Sequence, residues 1–346
     1  MGKLTISWEE STALKGLLII LIIIGHCQPL THYSERLWFF IYSFHVVCFF
    51  ILPLLYPVKT LTKKRIGKYF VKLMWPYIYL YISFALVLMF FYRKYTDVDY
   101  IVGCISTLFT GGLYPIGQYA GLKYLWFMPV MFSFSVIKDY YYTKSSKAAK
   151  TVLISLGLFS YIFLWVFLYG NPWYAEIRTM IMKCSPFSIL QSFGALFIGI
   201  LTIRFLKIIV KRKYSEYLLL LFFAVLSITF FFIKGERNIW VAKSICFAVN
   251  PLLFFSLLYL FRHKISRLKF LHGYGQNSFA IYLVQTPICV CTNAIINRLN
   301  GNFYIGILAT IFVIFVSYYV AKWITEQKKL KRILCPSSWE ELIGLD

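Results

Sequence analysis

Long apolar runs, each closed by a short cluster of lysine and arginine, repeat along the chain. At a rise of about 1.5 Å per residue, roughly 20 apolar residues carry a helix across the hydrocarbon core of a bilayer. Ten segments reach that length: 12–31, 37–57, 69–92, 122–142, 151–170, 186–206, 215–233, 239–261, 278–297 and 303–324. A weaker stretch, Ile101 to Phe109, is too short to span. It is expected to be re-entrant or interfacial, with Gly111-Gly112 and Pro115 ending it. The pattern predicts an all-α, polytopic transmembrane helix bundle of about ten spans. Six prolines lie within these runs (Pro53, Pro76, Pro129, Pro186, Pro251 and Pro287) and suggest kinks around an internal cavity.

Charge sets the orientation. One alternating set of segments holds Lys3; Lys59, Lys63, Lys64, Arg65 and Lys68; Lys138, Lys144, Lys147 and Lys150; Lys207, Lys211, Arg212 and Lys213; Arg262, Lys264, Arg267 and Lys269; Lys328, Lys329, Lys331 and Arg332. The other set holds Arg36; Arg93 and Lys94; Arg178 and Lys183; Lys234 and Arg237; Arg298. The richer set belongs on the cytoplasmic side, which puts both termini there and requires an even number of spans. No repeat is visible, and residues 1–346 are expected to form a single membrane domain with no soluble domain.

Composition agrees. The chain of 346 residues is 60% hydrophobic and only 14% charged, too apolar for a soluble domain of this length. A net charge of +23 first suggests nucleic acid. The basic residues, however, sit in clusters beside spans, where they act as topology signals and meet anionic headgroups, so no nucleic-acid partner is expected. The eight cysteines form no CxxC pair or zinc spacing and read as small apolar side chains. Glu9 and Glu10 precede the first run and no small-x-small pattern follows it, so no cleaved signal peptide is expected.

A polar group inside a membrane is costly and therefore a functional candidate. In the first span the strongly polar residues are Lys15 and His26. Eleven residues at about 100° each return to within roughly 20° of one face, about 16 Å along the axis. That face suits an elongated anion with its reactive end at the histidine. Taken singly, Lys15 is equally explained by snorkelling and His26 by an interhelical hydrogen bond. His45, after Phe44 in the second span, is a second candidate. Two histidines with no carboxylate or cysteine to complete a ligand set give no metal site. Lys243 and Asn250, in the eighth span, either line a cavity or bond across helices.

The spacing Lys15-x10-His26 after Leu14, followed by Phe44-His45 and Phe49-Phe50, resembles the acyltransferase-3 family of membrane O-acyltransferases. Tyr124-Leu125-Trp126-Phe127-Met128-Pro129 resembles a second motif of that family. Pro186-Phe187 with Gly194 and Gly199, and Asn277-Ser278-Phe279-Ala280-Ile281-Tyr282-Leu283, resemble two more. The sequence departs from the family pattern at Thr12, Pro53-Leu54 and Gln285, where the family often has Asp, Ser-Gly and His. The resemblance implies an enzyme that moves an acyl group, commonly acetyl from acetyl-coenzyme A, to a hydroxyl of a surface or exported glycan. It implies His26 as the base, since a sugar hydroxyl becomes a good nucleophile only when its proton is taken. It implies Lys15 as a donor-phosphate ligand, with Trp126, Asn277, Ser278 and Tyr282 in support. Read alone, Trp126 and Tyr282 are packing aromatics, and Asn277 and Ser278 cap a helix.

The donor acetyl-coenzyme A, a glycan or lipid-linked sugar acceptor and membrane lipids are the expected partners, with no permanently bound cofactor. The expected location is a bacterial inner membrane. Two other classes stay open: a transporter or flippase for a lipid-linked sugar, and a non-catalytic subunit of a polysaccharide-synthesis complex. The absence of two symmetrically interrupted halves argues against the transporter.

Overall fold

The computed structural model describes residues 4–27, 35–163, 187–212, 214–298 and 302–344, and is all-α, with no strand among them. The chain begins with α1 (Trp8–His26), α2 (Glu35–Tyr42) and α3 (His45–Ile51), the last continued by a 3-10 turn over Leu52–Leu55. Next come α4 (Lys63–Tyr69), a π-helical stretch Phe70–Met74, α5 (Trp75–Phe91), α6 (Val98–Thr110) and α7 (Leu113–Ala120). A 3-10 turn at Lys123–Trp126 leads into α8 (Phe127–Thr143), followed by α9 (Lys147–Ser160) and α10 (Phe187–Ile209). The remainder is α11 (Ser215–Phe232), α12 (Glu236–Leu260), α13 (Arg262–Ser266), α14 (Lys269–Gln276), α15 (Ser278–Arg298), α16 (Phe303–Glu326), α17 (Lys328–Leu334) and α18 (Trp339–Ile343).

Among the described residues, seven helical stretches are long and apolar enough to cross a membrane: Arg36–Leu55, Lys63–Phe91, Ser188–Ile209, Ser215–Phe232, Asn238–Leu260, Ser278–Ile296 and Phe303–Glu326. The chain is a multi-pass integral membrane protein. Three of the ten expected spans are not among the seven. Helix α1 carries Glu9, Glu10 and Lys15 within its 19 residues, and α8 has only 17. The segment 151–170 starts as α9 and runs past the described residues. Val98–Thr110 is the short helix expected there, ended by Gly111 in the left-handed conformation at φ +63°. The prolines divide. Pro53, Pro76 and Pro129 stand where the helical winding changes: Pro53 in the 3-10 turn that continues α3, Pro76 just after the π-helical stretch and Pro129 just after the 3-10 turn at Lys123–Trp126, while Pro251 and Pro287 are inside regular α-helix. Pro186 lies outside the described residues.

The chain divides into two compact units, with the boundary inside α10. The first comprises Met1–Pro57 and Ile198–Leu330. Its central element is α1, packed on α14 above all and also on α13, α15, α3 and α16. A capping box starts α1: Ser7 Oγ accepts from the Glu10 backbone at 3.1 Å, and the Ser7 backbone donates to Glu10 Oε2 at 2.8 Å. The other Glu10 oxygen meets His263 Nδ1 at 2.5 Å and Arg262 Nε at 3.3 Å, tying α13 to the same turn. Gly16 on α1 and Gly275 on α14 let the two backbones touch. A Cβ on Gly16 would meet the Leu271 carbonyl, and one on Gly275 the Thr12 carbonyl. Elsewhere in this unit α11 packs on α12 through Leu219, Leu253 and Leu257, and α15 runs against α16.

The second unit comprises Val58–Phe197 and Lys331–Asp346. Asp139, 1% exposed, gathers Arg65, the Tyr69 hydroxyl at 2.7 Å and Lys138 Nζ at 3.4 Å. A buried carboxylate persists only when paired and hydrogen-bonded in this way. Tyr77 and Tyr81 donate to the carbonyls of Thr107 and Cys104, fixing α5 to α6. Ser192 donates to the Val130 carbonyl at 2.9 Å, joining α10 to α8. The C-terminal tail closes on α4 and α5: Trp75 Nε1 donates to the Ile333 carbonyl and Trp339 stacks on Phe70.

Alanine normally stabilises a helix relative to glycine by about 1 kcal/mol. At Gly16 and Gly275 the added methyl overlaps a carbonyl, so overpacking outweighs propensity. Gly16→Ala and Gly275→Ala are each expected to destabilise the protein by about 1–3 kcal/mol. The readout is a lower melting temperature in detergent, and an unchanged or higher value would contradict the close crossing.

Candidate active site

His26 is the last residue of α1 and is half-buried. Across from it, Gln285 on α15 is fully buried and its amide faces the ring. Gln285 Oε1 lies 3.0 Å and Nε2 2.8 Å from His26 Nδ1. The amide nitrogen also donates to Thr286 Oγ1 at 2.6 Å. One turn further along α15, Cys289 Sγ is 3.6 Å from Cys27 Sγ and 3.9 Å from Gln285 Oε1. Two adjacent side-chain pairs, His26–Gln285 and Cys27–Cys289, therefore join the end of α1 to the middle of α15.

The second span supplies the other side. Its helix breaks at Ser43 and Phe44, with Phe44 at φ −135°, so that His45 begins α3. His45 is fully buried; its Nδ1–H donates to the Ile41 carbonyl at 2.7 Å, leaving Nε2 as a lone pair with no hydrogen-bond partner among the described residues. Tyr42 neighbours both imidazoles, with ring centroids 6.0 Å from His26 and 4.7 Å from His45. Gly25 makes room for it, since a Cβ there would lie 3.1 Å from the Tyr42 ring. Asn250 Nδ2 donates to Ser43 Oγ at 2.8 Å, and Lys243 Nζ sits 3.7 Å from the centre of the Phe39 ring. Both residues thus bridge α12 to α2 or its end. Of the two readings open for them, the hydrogen bond across helices is observed for Asn250.

The remaining sequence candidates make other contacts. Lys15 Nζ is over the Tyr56 ring at 5.8 Å, and the Tyr56 hydroxyl is 2.6 Å from Ser11 Oγ. Ile19 and Ile22 are buried on the α1 face between Lys15 and His26. Asn277 donates to the Gly273 carbonyl and accepts from Thr325 Oγ1 at 2.9 Å, pinning the junction of α14 and α15 to α16. Ser278 is the first residue of α15, and Tyr282 is buried one turn on. Trp126 belongs to the second unit, where its ring meets Phe127 edge-on. Thr12 donates to the Trp8 carbonyl. Among the described residues no three of His, Cys, Asp and Glu stand together as metal ligands.

Sequence reading missed two members of the group. Gln285 counts there only as a departure from a pattern, yet a strongly polar side chain within an apolar span was itself a signal. Tyr42, one of 27 tyrosines, carried none. Chemically, the group offers an imidazole with one nitrogen engaged by a neutral amide. When that nitrogen carries the hydrogen, the other is free to take a proton.

The family model described as an acyltransferase domain matches residues 8–322, which takes in every residue of this group. No curated protein and no solved structure matches the chain.

The thiol pair gives a check on the geometry that needs no activity. In a variant keeping only Cys27 and Cys289, copper phenanthroline is expected to form an intramolecular disulfide, seen as loss of maleimide labelling that a reductant restores. Thiols that stay separately reactive would refute the pairing of α1 with α15.

Proposed function

The chain belongs to the acyltransferase-3 family, and from that premise we propose that it moves an acetyl group from acetyl-coenzyme A to a hydroxyl of a surface or exported glycan. Family membership makes it a membrane acyltransferase; donor and acceptor are our reading. The observation that carries it is His26, half-buried at the end of α1 and met at Nδ1 by Gln285.

In the reacting form, Nδ1–H donates to Gln285 Oε1 and Nε2 is the base. Nε2 takes the proton of the acceptor hydroxyl as the oxygen bonds to the thioester carbonyl carbon. The tetrahedral adduct then expels the sulfur as the carbon–sulfur bond breaks, and the imidazolium returns the proton to the leaving thiolate. The products are the O-acetyl ester and free coenzyme A. Gln285 touches no reacting atom; it is a positioning residue that selects the tautomer. Its bond to Thr286 uses one of the two hydrogens on the amide nitrogen. His45, buried behind Tyr42, supports the site from the second span.

Lys15 would meet the phosphates of the donor as a point charge, about three helical turns from His26. With both termini in the cytoplasm, the donor arrives from the side on which it is made. Its arm must pass Ile19 and Ile22 to reach the imidazole. Trp126, Asn277, Ser278 and Tyr282 have supporting roles, Asn277 by holding the start of α15. A bacterial inner membrane is the setting that fits an acceptor outside the cell.

His26→Ala is expected to lower coenzyme A release from acetyl-coenzyme A by about 10²–10⁴-fold in purified protein. Release that persists at the wild-type rate would end the reading. Gln285→Leu should lower kcat about 10–100-fold with little change in donor KM, whereas Gln285→Glu, which keeps an acceptor at Nδ1, should retain more activity. Equal loss in both would deny the positioning role.

A further inference from the structure

Beside the histidine lies an aromatic surface that the chemistry above does not use. Trp38 and Tyr42 are one turn apart on α2 and so project from the same face of the helix. Their ring centroids are 4.3 Å apart with planes 30° from parallel. Tyr42 in turn lies 6.0 Å from His26. Trp38, Tyr42 and His26 are all partly exposed, whereas Ile41, Ser43, Phe44 and His45 beside them are buried. The other partly exposed rings of α2 have evident roles. Phe39 lies under Lys243, and Phe40 joins Phe44, Phe223, Phe230 and Phe231. Trp38 has Tyr42 on its face and Phe39 at its edge.

The face of an indole is electron-rich and flat, and it attracts polarised hydrogens laid over it. A pyranose ring presents such a face of C–H bonds while its hydroxyls point sideways. An aromatic stack within one or two sugar rings of a base thus suits a carbohydrate chain better than a single sugar.

We propose that Trp38, backed by Tyr42, is a carbohydrate-stacking subsite that holds the sugar neighbouring the one acylated at His26. The inference rests on the acyl-transfer reading above. It makes the acceptor an oligomeric or polymeric glycan, held by a ring at one position and acylated at another.

The test uses the full-length protein in detergent. Its acceptor probe is surface polysaccharide taken from cells lacking the protein and de-O-acetylated with mild alkali. Trp38→Ala is expected to raise KM for the polysaccharide about tenfold or more, the loss of about one good aromatic stack, while KM for acetyl-coenzyme A moves less than about threefold. Trp38→Leu, which keeps apolar bulk without a flat face, should behave like Trp38→Ala, and Trp38→Phe should fall between these and wild type. Should the alanine variant fail to fold, the leucine and phenylalanine variants decide. An unchanged polysaccharide KM in a folded variant overturns the subsite and leaves the acyl-transfer reading standing. Wild-type protein that releases no coenzyme A in response to the polysaccharide overturns that reading and the subsite with it.

Discussion

The approach of α1 to α14 fixes much of the first unit. Between helices in lipid there is little hydrophobic drive, because acyl chains are as apolar as leucine, so association depends on close packing and on polar contacts. Gly16 and Gly275 bring backbone against backbone, each meeting a carbonyl of the other helix. The ion cluster of Glu10, Arg262 and His263 then ties the start of α1 to α13, which leads into α14. With its first half held, α1 is a rigid rod that delivers His26 at its far end. The residue before that histidine is again a glycine, and the space it leaves is taken by the Tyr42 ring. Lys15 precedes one of these contact positions and His26 follows another, so the residues of the chemistry are interleaved with those of the packing.

Satisfaction of polar groups explains the rest of the site. An unpaired donor or acceptor in an apolar interior costs several kcal/mol, so polar side chains within spans are found in pairs. Asn250 meets Ser43, Cys27 meets Cys289, and His26 meets Gln285. In the second unit the same rule acts on full charge, where Asp139 collects Arg65, Lys138 and Tyr69. The rule is not complete: His45 Nε2, Asn250 Oδ1 and both amide atoms of Gln191 are buried without a hydrogen-bond partner among the described residues.

Hydropathy and charge carried the class of the fold, because membrane helices announce themselves over whole windows of sequence. They carried its details poorly. The break at Ser43 and Phe44 and the π-helical turn Phe70–Met74 lie within runs that read as unbroken spans. Lipid-facing and protein-facing positions are equally apolar, so no periodicity marked which face of α1 meets α14. Proline identity did not separate Pro76, set just after the π-helical stretch, from Pro287, set inside regular helix near Gln285. Of the site, His26 and His45 were legible because an imidazole in an apolar run stands out. Their partners were not. Gln285 is 259 residues from His26 in sequence, and only the fold makes them neighbours. Trp126 and Asn277 illustrate the converse. Both belong to motif segments, yet one sits in the other unit and the other closes a helix junction by bonding to Gly273 and Thr325.

The amide partner bears on how a base can work at such a place. A carboxylate beside His26 would orient the ring strongly, but it would bring a second charge into an apolar setting, where ionised groups are costly. A second histidine could as readily compete for the proton. Glutamine carries no charge in any step, and its oxygen can only accept. The cost of neutrality is ambiguity, since the amide can turn and present its nitrogen, which would lock the ring in the unreactive tautomer. Thr286 takes one of the two amide hydrogens at 2.6 Å, and Oε1 and Nε2 both lie within reach of Nδ1, at 3.0 and 2.8 Å. A threonine hydroxyl, an uncharged amide and an imidazole thus form a short relay of dipoles in which, on the proposed mechanism, only the last member becomes charged, and only while the acyl group is in transit.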